Sequence, residues 1–312
     1  IAYSNDHVTP WGGLVLMKEF IDKCRLRDGI AGCNFPISAS NNRYEVYEII
    51  ESFIVSVWIG CYKFSHTHIV RLDETLKRIF GWRKVPSDTT FKRFFQKFSL
   101  PINNEVFVKL QQWFFNNLKF DNYTLDMDST VITRYGELQE GNKKGYNPEK
   151  KGRASHHPLF AFLGDFRMVV NSWLRSGDTA SSHQCLDFLL ETFQILQNKT
   201  IGLLRADSGF CSDSIFTFLE LRNIAYVIAG RMHTALQYKI KDVKTWQAIG
   251  YGIWIAEITY KAAKWKKERR VVVVRQSIQE RPKATGKKLK LFNDDMYYQN
   301  YRYHSFITCQ SL

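Results

Sequence analysis

The sequence lacks a Cys-x-x-Cys pair and any dense cysteine framework. Its six cysteines are scattered over 312 residues: Cys24, Cys33, Cys61, Cys185, Cys211 and Cys309. A small disulfide-stabilised domain has a higher density of cysteines, and a structural zinc site has paired ligands. The pattern excludes both classes and predicts reduced, mostly buried thiols in a cytoplasmic protein.

The sequence also lacks a long apolar run. A membrane-spanning helix needs roughly 18 or more consecutive apolar residues, whereas the best candidate, residues 49–59, contains Glu51 and Ser52. Residues 1–4 do not have the charged and then apolar layout of a signal peptide. Because the first residue is not Met, we expect a few residues to precede it.

Acidic residues are scarce relative to basic ones. The chain has 44 Lys and Arg against 30 Asp and Glu, which leaves a net charge of +14 and a pI of about 9.4. Such a positive field attracts polyanions, either nucleic acid or an anionic membrane surface. We therefore favour a nucleic-acid partner over a basic surface that only keeps the protein in solution.

Apolar residues at helical spacing dominate residues 1–118. One example is the stripe of Phe91, Phe94, Phe95 and Phe98, which follows a helix start at Ser87. The region is interpreted as an N-terminal helical region that serves as a scaffold. A helix that enters a DNA groove is the alternative, although no helix-turn-helix signature supports it.

Residues 119–230 alternate between strand and helix patterns. Strands are predicted over 122–132, 159–163, 168–174, 201–206 and 225–229, with helices over 181–196 and from Ser212 or Asp213. A polar, basic loop is predicted between the first two strands. This order predicts an α/β fold in which helices pack on the faces of a mixed sheet.

Residues 231–300 read as a basic, β-rich segment. Paired strands are predicted over 253–260 and 270–275. Residues 261–290 contain 12 Lys or Arg and two Glu, and residues 281–288 are expected to form an exposed, mobile loop. Trp254 and Trp265 are interpreted as core residues in preference to base-stacking residues.

Two aspartates interrupt the first apolar strand of the α/β region. A strand has a period of two residues, so Asp126 and Asp128 lie on the same face. An unpaired carboxylate buried there is costly. A metal ion solves this problem, and so does an arginine partner such as Arg134 or Arg205. Both explanations stay open on this pattern alone.

A third aspartate, Asp207, follows the apolar run 201–206, and Gly209 permits a sharp exit from the strand. The carboxyl ends of strands are where α/β folds place ligand groups, although Asp207 also suits a turn or helix cap. Phosphodiester cleavage can use two divalent ions about 4 Å apart, held by oxygen ligands on rigid elements. Carboxylates on two strands of a basic protein favour such a metal site.

Several motifs resemble DDE transposases of bacterial insertion sequences, in the subgroup called DDE domain group one. They are residues 125–130, Lys144-Gly145-Tyr146-Asn147-Pro148, Gly152-Arg153, His157-Pro158-Leu159, residues 205–210 and Thr9-Pro10-Trp11-Gly12-Gly13. The resemblance covers nearly the whole chain. It implies a ribonuclease H-like core at 119–230, a β-rich insertion at 231–300, and a return to the core at 301–312.

The resemblance also implies roles for individual residues. Asp128 and Asp207 correspond to the first two catalytic, metal-binding aspartates, and Asp126 to a neighbour that supports them. The expected cofactor is a pair of Mg²⁺ ions, for which Mn²⁺ can substitute. The expected partner is double-stranded DNA with terminal inverted repeats, bound by a homodimer at the nucleoid in the bacterial cytoplasm.

This sequence departs from the family's pattern at the third catalytic acid. Its motif, Tyr-x-x-Arg-x-x-x-Glu, does not occur here, and residues 301–308 resemble the strand that precedes it. We therefore expect the third acid beyond Leu312 and expect the chain alone to be inactive. We assign that role to none of Glu257, Glu268 and Glu280.

Two basic groups are candidate contacts to DNA phosphates. The first group follows the strand of Asp128 and comprises Lys143, Lys144, Lys150, Lys151 and Arg153. The second belongs to the β-rich segment and comprises Lys264, Lys266, Lys267, Arg269, Lys287 and Lys288. His156 and His157 are either site residues or ordinary loop residues.

Two other functions compete with a transposase. A chain without the third acid could bind transposon ends and leave them uncut. A glycosidase with paired carboxylates is the weaker alternative, since a basic surface does not suit a sugar pocket.

Overall fold

The chain divides into a helical unit and a unit that is built on a β-sheet. The computed structural model describes residues 7–119, 121–136, 138–278 and 301–310. The described residues up to Lys119, together with Gln194–Leu196, form the helical unit, and the other described residues form the sheet unit. The predicted loop at 281–288, with Lys287 and Lys288, lies outside the described residues. Among the residues described, no helix has the length and apolar character needed to cross a membrane.

The helical unit has seven α-helices in its described part. They are α1 (Leu14–Lys23), α2 (Leu26–Ala31), α3 (Val46–Trp58), α4 (His68–Leu72), α5 (Glu74–Phe80), α6 (Asp88–Phe95) and α7 (Leu100–Asn116). The predicted start of α6 is confirmed, because the Ser87 side chain accepts a hydrogen bond from the Thr90 N–H at 3.3 Å. Phe91 and Phe94 of α6 are buried in an aromatic core, which explains the spacing of the stripe.

Two glutamates of α3 are fully buried, and both accept hydrogen bonds. Glu51 accepts hydrogen bonds from Arg27 at 2.7 and 2.8 Å and from the Trp82 indole at 2.9 Å. Glu48 accepts one from the Arg83 N–H at 2.9 Å. Buried carboxylates with such partners stabilise a fold and are not free for chemistry.

The described part of the sheet unit contains the α-helices α9 (Asp213–Leu221) and α10 (Thr234–Lys241) and all but the last three residues of α8 (Cys185–Leu196). Its strands are β1 (Tyr123–Ser129), β2 (Ile132–Thr133), β3 (Lys143–Lys144), β4 (Ala154–His156), β5 (Leu159–Leu163), β6 (Met168–Trp173), β7 (Ile201–Ala206), β8 (Ala225–Ala229), β9 (Gln247–Gly250), β10 (Ile253–Tyr260), β11 (Arg269–Ser277) and β12 (Tyr301–Thr308).

Nine of these strands form one mixed sheet in the order β6-β5-β1-β7-β8-β12-β11-β10-β9. In the first five, β1, β7 and β8 run parallel, and β5 is antiparallel to both of its neighbours. This is the ribonuclease H-like arrangement that the resemblance implies, and the predicted mixed sheet with flanking helices is confirmed. The strands of the basic segment belong to the same sheet, because β11 pairs with β12 and β12 pairs with β8. The segment also contains helix α10, which was not predicted.

The predicted basic loop contains a small second sheet, in the order β2-β4-β3. This corrects the loop prediction in part, because Lys143 and Lys144 belong to β3. A Cβ on Gly145 would lie 1.9 Å from the Gly177 carbonyl oxygen, so the backbones approach too closely for any side chain. The same glycines make the segment read as a loop in sequence.

Candidate active site

Strand β1 presents its two aspartates on one face of the sheet. Leu125 and Met127 are buried on the opposite face, whereas Asp126 is half-buried and Asp128 is exposed. The apolar residues therefore anchor the strand and direct both carboxylates away from the core. The predicted alternation is confirmed.

The parallel pairing of β1 with β7 brings Asp128 next to Asp207. Asp126 is aligned with Arg205, and Met127 with Ala206. The next residue of each segment is Asp128, still within β1, and Asp207, which keeps an extended backbone with φ −78° and ψ 178°. Adjacent strands are separated by roughly 4.8 Å, so the two aspartates are one strand spacing apart on the same face. We call this pair the candidate acids.

A backbone N–H group orients each of the candidate acids. The Ser129 N–H donates to Asp128 Oδ1 at 2.7 Å, and the Gly209 N–H donates to Asp207 Oδ1 at 2.8 Å. Neither carboxylate has an ion-pair partner in the described part of the chain. Two neighbouring negative charges without a cation repel each other, and hard oxygen donors in this arrangement fit a divalent cation such as Mg²⁺.

Asp126 is engaged differently. It accepts hydrogen bonds from Arg205 at 2.6 and 2.7 Å in a two-pronged ion pair. The bond to Asp126 raises the pKa of the Arg205 guanidinium. Arg134, the other candidate partner, instead donates to His156 Nδ1 at 3.2 Å. The ion-pair explanation therefore applies to Asp126, and the candidate acids are left available.

The loop after β7 is held from two sides. Arg231 donates to the Ser208 and Gly209 carbonyl oxygens at 2.8 and 3.1 Å. A Cβ on Gly209 would lie 2.8 Å from Ser181 Cβ and 2.9 Å from Asp207 Oδ1. The glycine predicted for a sharp exit is thus also required by close packing.

The two histidines of the β4–β5 segment have different positions. His156 is buried, and its Nε2 lies 2.8 Å from the Glu140 carbonyl oxygen. His157 is also buried, and its Nε2 lies 3.2 Å from the hydroxyl of Ser129, the neighbour of Asp128. Sequence reasoning left both histidines undecided. The motif His157-Pro158-Leu159 was the available signal for His157.

No third acid joins the candidate acids among the described residues, where no cluster of three or more His, Cys, Asp or Glu could hold a metal. Glu257 lies on β10, four strands from β7 in the sheet. The strand spacing therefore separates Glu257 from the strand that precedes Asp207 by roughly 19 Å. Glu257 is also paired with Arg270 at 2.6 Å. Glu268 is exposed just before β11, and Glu280 lies outside the described residues.

Most of the predicted DNA-binding cations in the described residues are exposed. They are Lys143, Lys144, Lys150, Lys151, Arg153, Lys264, Lys266 and Lys267. Two of them have acidic partners: Lys143 is 3.5 Å from Asp178, and Lys267 is 2.9 Å from Glu220. Exposed side chains of this kind can exchange such partners for phosphates.

Arg269 corrects the DNA-binding prediction. Its side chain is 2% exposed and pairs with Asp213 at 2.7 Å and Glu220 at 2.8 Å. Its guanidinium also lies over the rings of Phe216 and Trp265, at 4.9 and 5.6 Å from the ring centres. A buried and paired arginine cannot reach a phosphate. The core role interpreted for Trp265 is confirmed, because it is 8% exposed within this cluster.

Comparison with known proteins agrees with the motifs. A family model described as "Transposase DDE domain group 1" matches residues 3–301. No curated protein matches the chain in a sequence search. Among solved structures, the chain is similar to a piggyBac transposase in a cryo-EM structure of its synaptic complex with hairpin DNA, at 9% identity and a TM-score of 0.39. The match covers 95% of this chain and 52% of that chain, about half of its length.

Proposed function

The chain belongs to the transposase family that the group 1 DDE domain defines, and on that premise we propose that it cleaves and joins DNA at the ends of a bacterial insertion sequence. One observation carries the proposal. Asp128 and Asp207 lie side by side at the ends of two parallel strands and have no cationic partner in the described residues. Functional acids are arranged in this way when a metal supplies the counter-charge.

The cofactor of the proposed reaction is a pair of Mg²⁺ ions, and Mn²⁺ can substitute. Bound there, such ions neutralise charge on the attacking and leaving oxygens of a phosphodiester. Asp128 and Asp207 would hold them, and Mg²⁺ typically binds one or two carboxylates and completes its shell with water and substrate phosphates. The donors in the described residues fit that pattern.

The other residues of the site support the candidate acids. Asp126 ties β1 to β7 through Arg205 and so maintains the register that sets Asp128 beside Asp207. Arg231 holds the loop that follows Asp207. Rigid supports of this kind keep ligand atoms within the small tolerance that catalysis needs.

DNA with terminal inverted repeats is the proposed partner, bound by a homodimer. The exposed lysines and Arg153 would contact phosphates, and Lys287 and Lys288 stay candidates. The six cysteines are all free, which suits the reducing bacterial cytoplasm where the nucleoid lies.

Lys144→Gln is expected to reduce the magnitude of the slope of log affinity against log salt by about 0.9, the effect of one lost phosphate contact. Fluorescence anisotropy at several salt concentrations measures this slope, and an unchanged slope removes Lys144 from the interface.

Cleavage of the element's own ends tests the proposed function. The full-length protein is incubated with duplexes that carry those ends in Mg²⁺, Mn²⁺, Ca²⁺ or EDTA. We expect cleavage in Mg²⁺ and Mn²⁺ only. Asp128→Asn and Asp207→Asn are expected to bind the duplex and leave it intact, whereas Asp242→Asn, an exposed acid after α10, is the matched control. Cleavage by either candidate-acid variant contradicts the proposal.

DNA binding without cleavage is the second candidate function. It is favoured by the absence of a third acid near the candidate acids among the described residues. Tight binding to the element's ends, with no nicking in Mg²⁺ or Mn²⁺, identifies this function.

A further inference from the structure

A hydrogen-bonded chain starts at the buried His157 and leads to the residues next to the candidate acids. His157 is 5% exposed, and its Nδ1 lies 2.6 Å from the Thr179 carbonyl oxygen. A carbonyl only accepts, so Nδ1 carries the hydrogen, and Nε2 of the neutral ring is an acceptor. The Ser129 hydroxyl, 3.2 Å away, donates to it. Ser129 Oγ in turn accepts from the Ser181 hydroxyl at 2.9 Å.

This chain includes one of the two residues that orient the candidate acids and contacts the other. Ser129 supplies the N–H that binds Asp128 Oδ1, and Gly209 supplies the N–H that binds Asp207 Oδ1. Ser181 contacts both: its hydroxyl bonds to Ser129, and its Cβ would lie only 2.8 Å from a Cβ on Gly209. A single side chain therefore spans the gap between the two acid-bearing segments.

The segment that carries Ser181 is itself fixed by a buried arginine. Arg175 is 6% exposed and donates to the carbonyl oxygens of Ala180, Ser181 and His183 at 3.3, 3.2 and 2.8 Å. Arg175 and His157 also bind each other's backbones, with bonds of 3.1 and 3.0 Å. Ser181 thus has little freedom to move away from either acid.

We propose that Ser181 is a positioning residue, oriented by His157 through Ser129, that sets the separation of the Asp128 and Asp207 carboxylates and so their affinity for a divalent cation. The inference rests on the proposed function, because it takes the candidate acids to be metal ligands. Residues that hold metal ligands in place commonly change metal affinity by 10–100-fold when they are replaced.

Mn²⁺ titration of the full-length protein, followed by electron paramagnetic resonance, tests the proposal. Ser181→Ala removes the hydroxyl and is expected to weaken Mn²⁺ binding about tenfold, the lower end of that range. Ser214→Ala is the matched control. Ser214 is exposed, and its hydroxyl lies 3.2 Å from the Ser212 hydroxyl, so the substitution removes a similar hydrogen bond outside this chain of bonds. The control is expected to bind Mn²⁺ like the wild type.

His157→Asn provides a second variant. The shorter amide can still donate to the Thr179 carbonyl but offers no acceptor at the position of Nε2. It is expected to weaken Mn²⁺ binding in the same direction as Ser181→Ala. The thermal unfolding midpoint is measured alongside, because a purely structural role would lower the midpoint and leave the Mn²⁺ affinity of the folded protein unchanged.

The outcomes separate this inference from the proposed function. If Asp128→Asn and Asp207→Asn lose Mn²⁺ while Ser181→Ala and His157→Asn keep wild-type affinity, the positioning role is overturned and the metal site stands. If the wild type binds no Mn²⁺, or binds it equally well without Asp128 and Asp207, both proposals fall. Loss of Mn²⁺ in Asp128→Asn and Asp207→Asn, a loss of about tenfold in affinity in Ser181→Ala and His157→Asn, and an unchanged Ser214→Ala control together support both.

Discussion

Two groups of acids in the sheet unit have opposite surroundings. Asp213 and Glu220 lie around Arg269, whose side chain is 2% exposed, and all of these charges are paired. Asp128 and Asp207 lie at exposed strand ends and have no cationic partner in the described part of the chain. The first group is electrostatically complete, whereas the second lacks a counter-charge. Pairing, and not the mere presence of carboxylates, therefore separates structural acids from candidate metal ligands.

In the first group, which comprises Asp213, Glu220 and Arg269, the partners strongly lower the pKa of an acid. Desolvation raises the pKa of Glu220, but hydrogen bonds from Arg269, Lys267 and Tyr226 outweigh it and hold the pKa at about 2. Burial and the bond to Glu220 raise the pKa of Tyr226. At neutral pH Glu220 is therefore charged and Tyr226 is neutral, and a hydrogen bond joins them.

The largest expected effect comes from breaking the complete group. Arg269→Met leaves Asp213 and Glu220 without their main partner, and we expect the free energy of unfolding to fall by about 3–5 kcal/mol. Urea denaturation measures this change. Arg270→Met is the matched control, because Arg270 pairs with Glu257 at the surface, where such a pair contributes about 1 kcal/mol or less. Equal losses in the two variants would contradict the buried role of Arg269.

The next effect is a pH dependence that belongs to Glu220. Its folded pKa of about 2 lies below the ordinary 4.5, so its stabilising contribution is complete above pH 4.5 and is lost as the pH falls towards 2. The full contribution is at most about 3 kcal/mol. Unfolding measured from pH 7 to pH 2.5 should show that the stability gap between wild type and Glu220→Gln narrows in acid. A gap that stays constant would contradict the low pKa.

A smaller effect is expected at the surface pair next to the candidate acids. Asp126→Asn weakens the bond to Arg205, but the two side chains are 30% and 53% exposed. The loss of unfolding free energy should therefore be about 1 kcal/mol or less. Chemical denaturation checks this value, and a loss as large as that of Arg269→Met would place Asp126 among the buried structural acids.

The smallest effect, with the opposite sign, is expected at the candidate acids themselves. Without a divalent cation, Asp128→Asn removes repulsion with Asp207 on the adjacent strand and should stabilise the fold by up to about 0.5 kcal/mol. With Mn²⁺ the order should reverse, because only the wild type gains stability from the ion. Thermal unfolding with EDTA or Mn²⁺ measures both, and the same ranking in both buffers would argue against a shared metal.

Local patterns predicted the elements that lie near the site. The predicted bounds of β5, β7, β8 and β10 agree with the structure, because each is an apolar or alternating run with clear turn residues on either side. Strand β3 was not predicted, because Lys143 and Lys144 do not show the alternation of apolar and polar residues that indicates a strand. Its pairing depends on β4 and on close glycine contacts that appear only in three dimensions.

Long-range partners explain what the sequence could not reveal about the site. Arg269 sits in a basic run and reads as a DNA contact, yet its partners Asp213 and Glu220 are 56 and 49 residues away. The alignment of Asp128 with Asp207 requires the register between β1 and β7, which no local pattern specifies. The contact between Ser129 and Ser181 likewise joins residues 52 positions apart.

The most direct test of the central claim is to map the metal site on the polypeptide. Fe²⁺ replaces Mg²⁺ in the full-length protein, ascorbate and peroxide generate hydroxyl radicals at the bound iron, and mass spectrometry locates the backbone cuts. We predict cuts close to both Asp128 and Asp207, suppressed by excess Mg²⁺ and absent in Asp128→Asn. Cuts that cluster elsewhere in the chain, or at only one of these two aspartates, would contradict a metal site shared by the candidate acids.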